Sequence, residues 1–353
     1  MKYAVSILLT VVLFLLPAHG TFSVEGLDEL WVQAEEYGVD EHTGLEEGLS
    51  GLLEKIPQVL GDFLTAGLRT GLKLLAVVLL CSVGQGMGGA GLGGSWPAIR
   101  LAGALSVTAL TMSDVSSMIG LGRDTIGRID LFSTVLLPVM AVLSAASGEI
   151  TSGAVRQGAT VLFSKGLVSA MDAVLVPLVY AYVAVSCAQA VAANPGLDKL
   201  AQGIKSVVTG FLTSLLVVFI GYLTASGAIA GSVDLSRIKA ARMAISRAIP
   251  VVGGILADAS EAVLAGAGVL RGTVGAVGLL VVLAICITPF LHLAAQYLIY
   301  KGTAALCATV AQPELAKLID AIGSAFGLVL GMTGAAALIL LVSVVSAVQA
   351  VTG

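Results

Sequence analysis

Residues 322–349 read IGSAFGLVLGMTGAAALILLVSVVSAVQ, a run without one charged side chain. At 1.5 Å per residue such a helix is long enough to cross a hydrocarbon core of about 30 Å. A surface helix of a soluble domain would carry a charged face, and this one has none. Upstream, residues 273–298 form a second run of the same kind, and further candidates lie at 70–94, 97–120, 131–148, 168–193 and 206–230. The chain is 57% hydrophobic and only 11% charged, where a soluble domain carries about 25% charged residues. The pattern predicts an all-α fold, a polytopic transmembrane helical bundle of about seven spans, with six or eight also compatible.

Charged residues collect between these runs, and the pattern reads them as connectors: Arg123, Asp124, Arg128 and Asp130; Glu149, Arg156 and Lys165; Asp198, Lys199 and Lys205; Lys301, Glu314, Lys317 and Asp320. The densest basic group is Arg237, Lys239, Arg242 and Arg247. The excess of basic residues on cytoplasmic loops places this group inside, together with Arg100, Arg156 and Lys165. Arg123, Arg128, Lys199, Lys205, Lys301 and Lys317 then fall outside.

Ahead of the membrane domain, taken as residues 67–353, two segments differ in kind. Residues 1–20 combine Lys2, an apolar run from Ala4 to Leu16, and the small residues Ala18 and Gly20, which predicts a signal peptide cleaved after Gly20. An uncleaved anchor is the alternative. Residues 21–66 hold half of the 22 acidic residues and predict an exported segment of short amphipathic helices. It would lie on the membrane face, bind a partner, or simply form solvated acidic surface.

Two stretches fit poorly as plain spans. Residues 84–94 are dense in glycine, at about 1 kcal/mol of helix propensity each, so a break is expected there. Residues 249–271 begin apolar but contain Asp258, Glu261 and Arg271, which predicts a re-entrant or membrane-buried hairpin arm enclosed by protein or a wet cavity. Pro138, Pro177 and Pro289 each remove a backbone hydrogen bond inside a span and predict kinks.

Catalytic signatures are lacking: there is no GxxxxGK[ST], GxSxG or HExxH. The four cysteines form no CxxC pair, and the expectation is a protein without catalytic residues, metal or cofactor. No dense basic patch points to nucleic acid. The acids that fall within or beside apolar runs are the candidates for chemistry: Asp114, Asp172, and the i,i+3 pair Asp258 and Glu261. An ionised carboxylate at bilayer depth costs several kcal/mol. Each acid therefore lines a conduit or ion-coupled site, or is satisfied by an interhelical partner, such as Arg247 or Arg271 for Asp258 and Glu261. Gly323, Gly327 and Gly331 repeat at i+4 and predict close helix packing, within the bundle or between subunits. On that reading Gly327→Leu disrupts assembly.

The order of these features resembles the stage III sporulation protein AE family of endospore-forming bacteria. The sharpest portion runs from Ala248-Ile249-Pro250-Val251-Val252-Gly253 through Asp258-Ala259-Ser260-Glu261 to Thr273-Val274-Gly275. Leu136-Leu137-Pro138, Ala145-Ala146-Ser147-Gly148, Phe290 and Tyr300-Lys301 add to it. The resemblance implies a non-enzymatic subunit of a secretion-like channel between mother cell and forespore, in the mother-cell membrane surrounding the forespore. It implies as partners the other proteins of the same sporulation operon, a forespore membrane protein and a separate ATPase subunit, in a setting of membrane lipid. A self-sufficient secondary transporter with its ion-coupled site at Asp258 and Glu261 is the competing reading. The chain shows no clear internal repeat to favour it. A scaffold that recruits partners without lining a pore is a third.

Overall fold

The computed structural model describes residues 45–88, 96–146, 150–225, 273–310 and 313–352, with a few isolated positions between 32 and 39. All of these longer stretches are helical: α1 (Leu45–Gly88), α2 (Trp96–Ala146), α3 (Ile150–Ala170), a π turn (Met171–Leu175), α4 (Val176–Ala192), α5 (Pro195–Ala225), α6 (Thr273–Val310) and α7 (Pro313–Thr352). Six helical stretches among the described residues are long and apolar enough to cross a membrane, α3, the π turn and α4 counting as one. The proposed signal peptide and the segment 249–271 lie outside the described residues.

The expected spans 97–120 and 131–148 belong to one continuous helix, α2, of 51 residues. The group Arg123, Asp124, Arg128 and Asp130 is therefore no connector. Charge alone does not end a helix; Asp124 and Arg128 are spaced i,i+4, which supports one. No proline interrupts the chain between Pro97 and Pro138. Likewise α1 begins at Leu45 and runs on through the apolar part of its sequence. Near residue 66 the composition changes while the helix continues. Glu46 and Glu47 occupy its first turn, where negative charge favours a helix N-terminus.

Pro177 does not simply kink its span. It follows the π turn, in which the Val176 N–H bonds to the Met171 carbonyl, five residues back. The wider turn gives room to the proline ring, which in a regular helix presses on the carbonyl four residues earlier. The helix then ends at Ala193, in left-handed conformation with φ 47°, its N–H bonded to the Gln189 carbonyl at 2.8 Å. Asn194 caps α5 by accepting the Gly196 N–H at 2.8 Å, with Pro195 at the first helical position.

Side-chain neighbours fix the register. On α6, Leu280, His292 and Thr303 sit beside Gly48, Phe63 and Gly71 of α1 respectively, so these helices run parallel. So do α2 and α7, with Gly103 beside Leu315 and Gly122 beside Val329. Conversely, Gly84 beside Ile99 and Gly103 beside Cys81 make α1 and α2 antiparallel. Thr108 meets Cys187 while Arg123 meets Asp172, so α4 runs against α2. The fold is thus three antiparallel hairpins, α1–α2, α4–α5 and α6–α7, with their joined ends at the same end of the bundle.

Helix α7 is the centre. Every residue from Ile322 to Val345 is buried, against α2, α3, α4, α5 and α6. An all-round apolar helix needs apolar neighbours on every side. Around it, α5 turns Val217 and Val218 outward, as helices facing lipid do. Residues 206–225 of α5, 273–300 of α6 and 321–352 of α7 contain no Asp, Glu, Lys or Arg. Each run is at least 20 residues, about 30 Å of helix. On α5, α6 and α7 the level of Lys205, Lys301 and Asp320 thus marks one edge of an apolar slab, while α1, parallel to α6, carries Glu54, Lys55 and Asp62 at the same depth.

Candidate functional site: charged side chains at the depth of the apolar slab

Through that slab α2 carries Arg123, Asp124, Arg128 and Asp130. Gly122 lies beside Val329 and Thr333 of α7, well below the edge at Asp320. Arg123 Nε donates to Asp172 Oδ1 at 2.8 Å, and Lys165 Nζ to Asp130 Oδ2 at 2.6 Å. Asp172 sits in the π turn, whose extra residue alters the side-chain phase of the helix just where this carboxylate meets Arg123. Both members of the Arg123–Asp172 pair are about half exposed, at 55% and 52%. In water such a pair contributes only about 0–1 kcal/mol. At hydrocarbon depth the alternative is an unpaired charge, so the pair decides whether α2 can sit there at all.

The exposure has a shape. A cleft of about 640 Å³ opens between α2, the π turn with α4, and α7, and Arg123, Asp124, Arg128 and Asp172 are among its lining residues. Gly120 and Gly127 of α2 also line it, and a Cβ added at either meets nothing within 4 Å. Gly122 on the same helix is different, because a Cβ there collides with Val329. Gly120→Ala is therefore expected to leave stability unchanged or raise it by up to about 1 kcal/mol through helix propensity. Gly122→Ala is expected to lower it by about 1–3 kcal/mol through overpacking. Unfolding in mixed micelles of detergent and denaturing surfactant measures both, and equal effects would remove the distinction.

Asp114 lies at the slab edge. Fully buried Tyr300 donates from its hydroxyl to Asp114 Oδ2 at 2.7 Å and packs edge-on against Phe326, ring centroids 4.9 Å apart. Asp114 and Asp172 thus each have an interhelical partner, and they sit apart at two levels of α2. Asp258 and Glu261 lie outside the described residues. Gly323, Gly327 and Gly331 are all buried on α7. A Cβ at Gly323 would stand 3.0 Å from Tyr300 Cβ and 3.4 Å from the Lys301 backbone nitrogen, so this glycine serves close packing of α7 on α6 within the chain.

A basic cluster at the slab edge had no signal in the sequence. Lys301 Nζ donates to Asp320 Oδ1 at 2.7 Å and Ser324 Oγ at 2.8 Å, and Lys205 Nζ reaches the same Ser324 Oγ at 3.4 Å. Read as connector residues, the lysines gave no hint that α5 and α6 bring them together over α7. Two residues of helix register would have been needed, and composition supplies neither. No group of three or more His, Cys, Asp or Glu that could hold a metal comes together among the described residues.

The fold and its charged seam define a polytopic helical membrane protein. Residues 42–351 match the family described as Stage III sporulation protein AE, and the chain belongs to that family. It is 22% identical over 213 residues to the Stage III sporulation protein AE of Bacillus subtilis (strain 168). That match covers 60% of this chain and 53% of the relative, so it spans about half of the relative's length. No solved structure matches the chain.

Proposed function

We propose that this protein is a non-enzymatic membrane subunit of a transenvelope channel or secretion-like complex joining mother cell and forespore, resident in the mother-cell membrane around the forespore. Family membership over residues 42–351 carries this reading. The structure supports it with a feature that suits a subunit better than a free-standing protein. The cleft exposes Arg123, Asp124, Arg128 and Asp172 at a depth where lipid would surround an isolated bundle. Charges at that depth need a wet cavity or a protein surface over them. A neighbouring subunit of the assembly supplies the cover, and a separate ATPase would supply the energy. The other proteins of the same operon and a forespore membrane protein are the proposed partners.

A clean deletion in the source organism tests the reading. Arrest after engulfment, with loss of late forespore gene expression, is expected; normal sporulation would overturn the role. Complementation then asks about the cleft. At Gly127 an added Cβ meets nothing within 4 Å, so Gly127→Leu, which narrows the cleft, should accumulate normally in the membrane yet fail to restore sporulation. Full restoration would detach the cleft from the function.

A further inference from the structure

The cluster of Lys205, Lys301, Asp320 and Ser324 does not belong to the cleft, and its charges do not balance. Two ammonium groups face one carboxylate. Lys301 takes Asp320, at 2.7 Å. Among the described residues Lys205 hydrogen-bonds the Ser324 hydroxyl, at 3.4 Å, and shares the charge of Asp320 with Lys301. Both ammonium groups lie within 3.4 Å of the same oxygen, hence no further than about 6 Å from each other, a spacing that the oxygens of one phosphate can bridge with charge-assisted hydrogen bonds. Lysine is a compact, mobile point charge suited to such an anion. The cluster is reachable from outside: the Asp320 side chain is 50% exposed and that of Lys301 25%.

Depth and surroundings select the source of the anion. The cluster stands where the charge-free runs 206–225, 273–300 and 321–352 begin or end, which is the level of lipid headgroups if those runs fill the hydrocarbon core. Tyr297, whose ring centroid is 5.9 Å from Lys301 Nζ, and buried Tyr182 of α4 lie at the same level, where aromatic residues with a polar tip collect. We propose that Lys205 and Lys301 bind the phosphate of an anionic phospholipid headgroup.

The test uses the full chain purified in neutral detergent, with phosphatidylglycerol, phosphatidylcholine or inorganic phosphate added. Binding is read by native mass spectrometry and by the shift in melting temperature. Phosphatidylglycerol should bind and stabilise the wild type more than phosphatidylcholine does. Lys205→Gln with Lys301→Gln should weaken that binding at least about tenfold, the factor for losing one charge-assisted contact. Exposed Lys199 supplies the control, and Lys199→Gln should leave it unchanged. Should the double Gln variant fold poorly, Lys205→Arg with Lys301→Arg keeps the charge and should keep the lipid. Equal binding by wild type and the Gln variant overturns the proposal, as does an equal loss with Lys199→Gln. Inorganic phosphate that protects as well as phosphatidylglycerol overturns the lipid assignment in favour of a free-anion site.

Discussion

Gly323→Leu is expected to prevent the α6–α7 hairpin from closing, and with it the accumulation of folded protein. The reason is local and geometric. At Gly323 the nearest atoms a Cβ would meet are Tyr300 Cβ at 3.0 Å, the Lys301 nitrogen at 3.4 Å and the Tyr297 carbonyl oxygen at 3.6 Å. None of these is the free end of a flexible side chain, so relief requires the two helix axes to move apart. Overpacking that side chains absorb costs about 1–3 kcal/mol; separating backbones at a small-residue crossing costs more, because it also forfeits the dispersion contacts that hold helices together in lipid. The buried stretch Ile322–Val345 of α7 is what every hairpin packs on, so the damage spreads. Gly323→Ala should cost about 1–3 kcal/mol, and Gly210→Leu on α5, where a Cβ meets nothing within 4 Å, should accumulate like wild type. Membrane-fraction yield and a monodisperse profile in detergent separate the three. Normal yield of Gly323→Leu would show that α7 is not seated on α6 as described.

That glycine also shows how far the sequence could be read. Its i+4 repeat announced close packing, yet the same repeat serves packing inside a chain or between chains. Only the neighbours, Tyr300 and the α6 backbone, decide for Gly323. The apolar runs were legible because 28 residues without a charge leave no other economical fold. Charged groups misled twice. Arg123 to Asp130 looked like a loop, but they are paired or exposed on a helix about 76 Å long. Lys205 and Lys301 looked like connector residues, although α5 and α6 are helical well beyond them on both sides. Hydropathy windows treat charge as a terminator, whereas a charge facing a cleft or a slab edge is compatible with an unbroken helix. Pro177 signalled a disturbance, and the π turn is its form. No local pattern could have joined Asp114 to Tyr300, which are 186 residues apart.

For that last pair, Tyr300→Ala is expected to destabilise the protein by about 3–5 kcal/mol, the range for removing a buried aromatic ring. The ring is fully buried, packs edge-on to Phe326 and covers Gly323, so the vacated space borders three helices. Tyr300→Phe isolates the other component, since it keeps the ring and removes the donor to Asp114. One hydrogen bond to a half-buried carboxylate is worth about 1–2 kcal/mol in this setting. A double-mutant cycle of Tyr300→Phe with Asp114→Ala should return a coupling of that size, measured by unfolding in mixed micelles. Additive effects would mean the 2.7 Å contact contributes nothing. Sporulation then assigns Asp114 its role. If Tyr300→Phe loses stability in step with sporulation, the carboxylate is a tie between α2 and α6 at the slab edge. If Asp114→Asn, which still accepts the tyrosine proton, keeps stability but abolishes sporulation, the negative charge itself is used. The geometry favours the tie, because the carboxylate meets a hydroxyl that is sealed from solvent and fixed by its ring.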